Sequence, residues 1–304
     1  MSLPLNDGPG AGGAGYSSRA YLAALGHEAA PLGRTGGFVA RRAIGDSGRY
    51  DLAGAWPLFC CPDWPALAEA VAALGTAPVS LTLVADPFAP LGPRDLAAIF
   101  PLCRVLHDHW IIDLAAPPRL SAHHRRKLRR AAPPQIRIGA PWPGLVAAWA
   151  GLYRHLVERK EIGDARAFSP AALEAQLFVP GAEIVTAWEG DRLLGADLYY
   201  LDRGIAYAHL SAYAPKGYAA SVSYPMMAAA IDHFAAGALA IDLGGAPAGT
   251  SGPGVAAFKA GWTGLTRPSF LCGKVLDPAA YETLAPGADP AGWFPAYRAG
   301  EYRS

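Results

Sequence analysis

The chain has 304 residues, 52% hydrophobic and 17% charged, which is enough apolar surface for a substantial core and too little charge for a disordered polymer. Twenty-six Lys and Arg against 25 Asp and Glu leave a formal net charge of +1. That balance excludes a global electrostatic drive toward nucleic acid or an anionic membrane, so general nucleic-acid binding is not expected and any anion site must be local.

Residues 1–15 are rich in Gly, Pro and Ala and read as a flexible N-terminal segment. They lack a basic stretch followed by an apolar core, so no signal peptide is expected. No apolar run approaches roughly 18 residues, so no membrane span is expected either. A short helix over 16–25 follows, then a strand over 37–42 and a loop over 50–59 rich in aromatics and breakers. A helix over 64–74 carries apolar residues at 64, 67, 70, 71 and 74. A strand over 79–85 ends at Asp86-Pro87, Pro93 introduces a helix over 94–100, and a strand covers 110–114. Pro117-Pro118 then precedes the basic run from Ser121 to Arg130, with Ser121 as its N-cap, and Pro133-Pro134 ends it. The boundary between halves is placed at 118/119.

The second half reads as a strand from Ile136, an amphipathic helix over 144–160 and a helix over 170–177 capped by Ser169. A hairpin over 183–188 and 192–200 turns at Glu189-Gly190-Asp191. There follow a strand over 205–213, a helix over 221–236, a strand over 239–243, a helix opened by 255–259 and a last strand over 270–275. The tail, with Trp293, Tyr297 and Tyr302, is expected to pack back on the body. The fold class is therefore α/β, with mixed sheets flanked by helices.

The four cysteines, Cys60, Cys61, Cys103 and Cys272, form no CxxC pair and no Cys/His zinc spacing. They read as reduced, mostly buried thiols of a cytoplasmic protein, and no metal is expected. There is no nucleophile elbow, no HExxH, no GxxxxGK[ST] and no dinucleotide-binding GxGxxG.

Three blocks carry a resemblance. The basic run His123-His-Arg-Arg-Lys-Leu-Arg-Arg-Ala is one. The hairpin Ile184-Val-Thr-Ala-Trp-Glu-Gly-Asp-Arg-Leu-Leu-Gly-Ala-Asp-Leu is the second. The third runs from Ala206-Tyr-Ala-His-Leu-Ser-Ala-Tyr through Asp242-Leu-Gly-Gly to Phe258-Lys259. In order and spacing they resemble FemAB-like acyltransferases, a branch of the GNAT superfamily. The resemblance implies two GNAT-like halves: a degenerate copy over 16–118, a better-matching half over 119–275, and a tail over 276–304. It implies transfer of an activated acyl or aminoacyl group to an amine of a sugar-, peptide- or lipid-linked acceptor, in cell-envelope or polysaccharide biosynthesis. Acyl-CoA or an aminoacyl donor, tRNA-linked in the second case, would be the co-substrate. Two alternatives stand beside it: a conventional acyl-CoA N-acetyltransferase acting on a small amine, and a non-catalytic GNAT scaffold binding an anionic partner.

Site residues follow from chemistry and from the resemblance. Arg126, Arg129 and Arg130 of the basic run suit a phosphate clamp, against a plain solvated linker helix. Where GNAT proteins carry [Arg/Gln]xxGx[Gly/Ala], this chain has Lys216-Gly217-Tyr-Ala-Ala-Ser. Lys216 and Gly217 are thus expected to open a donor loop ahead of a helix N-terminus. His209 is a candidate base for the acceptor ammonium, against a core histidine. Strict alternation puts Tyr207, His209, Ser211 and Tyr213 on one face of an acceptor cleft and turns Asp197 toward solvent. Asp242 could orient the amine or serve as base, or it could cap the following glycine amides. The resemblance sets Lys259 beside the donor, where its ammonium would meet a phosphate or the oxyanion, against a surface lysine. Trp56 and Asp51, with Tyr50 and Phe59, are expected in an acceptor cleft between the halves, against ordinary core packing.

Overall fold

The computed structural model describes residues 13–116, 119–130, 134–161, 167–246 and 252–301, with the Arg130 side chain outside the description. In chain order the elements are α1 (Arg19–Ala24), β1 (Glu28–Pro31), β2 (Phe38–Ala43), β3 (Tyr50–Gly54), α2 (Leu67–Ala72), β4 (Ser80–Ala85), α3 (Pro93–Ile99) and β5 (Leu102–Asp113). They continue with α4 (Ala122–Arg130), β6 (Gln135–Gly139), α5 (Val146–Lys160), α6 (Pro170–Leu177), β7 (Ala182–Glu189), β8 (Arg192–Asp202) and β9 (Ile205–Tyr213). The last are α7 (Pro215–Ala220), α8 (Ser223–Phe234), β10 (Ala240–Asp242), α9 (Gly252–Ala260), β11 (Thr266–Val275) and α10 (Pro278–Leu284).

These elements form two compact units. One contains Asp108–Arg267, and the other combines residues 13–107 with 268–301. The division falls inside β5 and β11, not at the proline pair that set the boundary at 118/119. The physical reason is the composition of β5. Its first half places Arg104, Val105, His107 and Asp108 in solvent, so no apolar alternation marks residues 102–109 as strand. Only the buried end, Ile111 and Ile112, is legible.

In the 108–267 unit the strand order is β5-β10-β9-β8-β7-β6. The strands from β6 to β9 are antiparallel neighbours, and β10 runs parallel to β9 and antiparallel to β5. Helix α8 has Met226, Met227, Ala230, Ile231 and Phe234 at helical spacing and buries them with Tyr199, Ala206 and Ile241. Each large apolar side chain buried there contributes about 1.5–3 kcal/mol. The other face of β9 and β8 packs on α5, which ends where Glu161 turns left-handed at φ 50° behind Arg159 and Lys160.

In the other unit the order is β1-β2-β3-β4-β11. Phe59, Trp64, Leu67, Leu81 and Cys272 share its core. The chain's last described segment is tied down by a buried ion pair. Arg298 donates to both oxygens of Asp51, Nε to Oδ2 at 2.6 Å and Nη2 to Oδ1 at 3.0 Å. Arg42 adds two bonds at 3.2 Å, and Tyr297 donates to Oδ2 at 3.1 Å.

Candidate active site

The C-terminal end of β10 gathers the chemistry. Asp242 is 2% exposed and His109, on β5, is 6% exposed. His109 Nδ1 lies 2.9 and 3.0 Å from the two Asp242 oxygens. An ionised carboxylate only accepts, so Nδ1 carries the proton in that pair, which leaves Nε2 as the lone-pair nitrogen of the neutral ring. No hydrogen bond to Nε2 occurs among the described residues. Asp242 Oδ1 also accepts the Gly244 backbone N–H at 2.7 Å, across a turn in which Gly244 sits at φ +73°. Orientation of an imidazole and capping of the turn are therefore performed by one carboxylate.

Helix α9 supplies the third member. Lys259 Nζ donates to Gly245 O at 2.5 Å and lies 6.0 Å from the centre of the Trp110 ring. Burial pulls its pKa down to about 8, and the charge of Asp242 works in the opposite direction. The turn brings Gly244 alongside this lysine, where a Cβ would stand in ordinary contact at 3.5 Å from Nζ. Asp242 and Lys259 thus come together, and His109 is the partner that the sequence reading passed over. Alternation run backward from the buried Ile111 would have found it, because residues 109 and 111 share a face and Ile111 is the register partner of Asp242.

His209 is not part of this group. Its Nε2 lies 2.7 Å from Gln176 Oε1 on α6, and its ring lies 4.7 Å from that of Tyr200. Gln176 Nε2 donates to Ala172 O at 3.0 Å, so its oxygen is the acceptor and His209 Nε2 holds the proton. The surrounding protein desolvates this ring and draws its pKa down to about 3, so it stays neutral where an acyltransferase base would have to take up a proton.

The expected polar row on β9 is split. Residues 207 and 208 pair with 200 and 199, but 210 pairs with 198, leaving His209 as an extra residue in a bulge. Parity reverses there. Tyr207 is buried on the side of Tyr200, whereas Ser211 and Tyr213 turn to the α8 side. There Tyr213 donates to Asp197 Oδ1 at 2.6 Å and packs against the α8 core. Asp197, expected in solvent, is buried because both faces of β8 are covered, and desolvation raises its pKa to about 6 against the hydrogen bonds of Tyr213 and Ser211.

The donor-loop residues have other partners. Lys216 pairs with Glu189 at 2.5 Å. Gly217 is buried under β8, where a Cβ would come within 2.1 Å of Leu194 O, so its glycine serves close packing of α7. On α4, Ser121 caps the helix as expected, accepting the His124 backbone N–H at 3.2 Å. Arg125, Arg126 and Arg129 are exposed, and no carboxylate pairs with them among the described residues. Lys127 reaches Ser221 Oγ at 3.0 Å, just before α8. Arg130 lies on α4, with its side chain outside the described atoms. In the other unit Asp51 is consumed by the Arg298 and Arg42 ion pairs and Phe59 by the core, which takes both out of an acceptor cleft, while Trp56 is 61% exposed. Among the described residues no group of three or more His, Cys, Asp or Glu is placed to hold a metal ion. Among the described residues no helix is long and apolar enough to cross a membrane.

Comparison with known proteins accords with this layout. Residues 121–260 match the family described as acetyltransferase (GNAT) domain. A search of curated proteins found no match. Among solved structures, FemX aligns with a TM-score of 0.63 at 11% identity, covering 87% of this chain and 92% of that one. A C-terminal domain attributed to a lysylphosphatidylglycerol synthetase of Agrobacterium fabrum aligns at 0.59 and 17% identity, covering 86% and 87%. L-PGS from Bacillus licheniformis aligns at 0.51 and 15%, covering 85% and 90%. Residues 121–260 therefore carry a GNAT-type acetyltransferase domain, and the fold of the chain is similar to that of FemX.

Proposed function

We propose that this acyltransferase moves an activated acyl or aminoacyl group onto an amine of a sugar-, peptide- or lipid-linked acceptor, with His109, Asp242 and Lys259 at the reaction centre. The observation that carries the reading is the His109–Asp242 pair, closed by Lys259, at the point where β10 stops and β9 runs on. β10 pairs with β9 only over Ile205–Tyr207, while β9 continues to Tyr213, so a donor carbonyl would have access to strand backbone beyond Asp242.

The chemistry then balances as follows. His109 Nε2 takes the proton of the acceptor ammonium, and the Asp242 carboxylate offsets the charge that forms on the imidazole. The freed amine attacks the donor carbonyl, and the Lys259 ammonium faces the oxyanion of the tetrahedral intermediate. Collapse expels the donor's thiol or hydroxyl group, which leaves with the proton held by His109, and the regenerated imidazole then takes the second proton from the new amide nitrogen and releases it to solvent. The exposed arginines of α4, which meet no carboxylate among the described residues, are suited to the phosphates of a nucleotide-bearing donor.

An aminoacyl donor is the preferred reading. It is supported by the likeness in fold to a protein named for lysylphosphatidylglycerol synthesis, and by the employment of Lys216 and Gly217 elsewhere. A cytoplasmic site of action in cell-envelope assembly is part of the same proposal. The second reading, an acyl-CoA N-acetyltransferase on a small amine, is favoured by the acetyltransferase family match. Calorimetry with CoA separates them: binding in the micromolar range supports acyl-CoA, and no heat supports the aminoacyl donor. Full transfer activity in a folded His109→Ala protein would refute the site itself.

A further inference from the structure

The basic helix and the lysine-bearing helix are stapled together. Where α4 starts, the Ser121 backbone N–H bonds Gly261 O at 2.9 Å, and His124 Nε2 lies 2.9 Å from Phe258 O. A carbonyl can only accept, so Nε2 carries the proton and Nδ1 accepts from the Ser121 hydroxyl at 2.9 Å. His124 is buried, and desolvation lowers its pKa, in keeping with the neutral ring that both bonds require. The imidazole sits on the backbone of Gly261, where a Cβ would lie 1.8 Å from its Cε1. The Trp262 ring meets it edge-on at 5.1 Å.

Phe258 O belongs to the last turn of α9, where it accepts only the bifurcated Gly261 N–H, at 3.2 Å, and has a lone pair left for the imidazole. His124 is therefore a side-chain cap on that helix, and the two residues it grips, Phe258 and Gly261, bracket Lys259. We propose that His124 is a positioning residue for Lys259. By capping Phe258 O and filling the space over Gly261, it fixes the rotation of α9 that brings the lysine ammonium to Gly245 O beside Asp242. The inference rests on the acyl-transfer reading only for what Lys259 does once it is there. The charged and titratable groups around that ammonium are Asp242 from β10 and, paired to it, His109 from β5.

The test is the titration of Lys259 in the full chain. It is followed by pH-dependent labelling with an amine-reactive reagent, quantified on the Lys259 peptide, with steady-state kinetics measured in parallel. The wild-type midpoint is expected near 8, where burial holds it. His124→Ala frees the end of α9 and hydrates the ammonium, so the midpoint moves up toward 10.5 by about one unit or more. At the same time kcat falls more than the acceptor KM changes. Gly261→Ala expels the ring without altering it and shifts the midpoint the same way. His124→Gln offers an amide N–H to Phe258 O and keeps the midpoint near 8. The proposal is overturned by an unmoved midpoint in the folded alanine variants, by a raised midpoint in His124→Gln, or by a wild-type midpoint near 10.5. A midpoint that shifts as stated while turnover is untouched would sustain the positioning role and sink the catalytic one instead.

Discussion

Asp242→Asn removes one charge from the site and little volume. The asparagine oxygen can still accept the Gly244 N–H that Asp242 Oδ1 holds at 2.7 Å. What it cannot do is offer two acceptors to His109 Nδ1, which now meets oxygens at 2.9 and 3.0 Å. Its amide nitrogen favours the other imidazole tautomer, with the proton on Nε2. A nitrogen already protonated takes no proton from an ammonium. Loss of a positioned base costs about 10²–10⁴-fold in rate, or about 3–5 kcal/mol of barrier. The same substitution has a second signature of opposite origin. Asp242 favours the charged form of Lys259 while burial opposes it, so removing the carboxylate sends the Lys259 midpoint below 8. The assay is kcat against pH for the donor and acceptor that turn over with wild type, with a thermal melt and the Lys259 titration on the same samples. A folded Asp242→Asn protein with kcat within about threefold of wild type would place the proton transfer elsewhere. A Lys259 midpoint that rises would show that the two groups are not in contact.

The other expectations are independent of that result. Arg298→Ala leaves Asp51 buried beside a single remaining arginine and should cost about 3–5 kcal/mol in denaturant unfolding; a loss below about 1 kcal/mol would mean the pair is solvated. Gly217→Ala drives a methyl group against Leu194 O and should destabilise by about 1–3 kcal/mol, whereas unchanged stability with a raised donor KM would return Gly217 to the donor loop. The double reversal Arg126→Glu and Arg129→Glu should raise a substrate KM, with an effect that fades as salt increases. Kinetics unaffected at every ionic strength would leave α4 without an anion to bind.

The sequence was most informative where the signal is local. Ser121 and Ser169 were legible as caps, and both accept the backbone N–H three residues on. The hairpin turn at Glu189-Gly190-Asp191 was legible from its turn-forming residues, although the strand runs one residue further and Glu189 pairs with Arg192. Asp242 and Lys259 could be placed by the glycine-rich end of β10. The failures are non-local. One inserted residue at His209 reverses the parity of every later side chain on β9, and nothing in a run of alternating polar residues announces it. His109 escaped because half of its strand is polar on both faces. Asp51 looked like a cleft acid because the arginine that meets both of its oxygens at the shorter distances, Arg298, is remote in sequence.

That remoteness bears on how the molecule is made. Asp51 leaves the ribosome 247 residues ahead of the arginine that neutralises it, and β11, which completes the register with β4, is also synthesised late. Throughout translation the early unit must tolerate an open sheet flank and a buried carboxylate held by Arg42 alone. A nascent chain halted after residue 267 would hold every member of the His109–Asp242–Lys259 group and still expose the flank of β4. Premature stops between residues 267 and 298 are therefore expected to be lost to aggregation or proteolysis, although they remove none of the proposed chemistry.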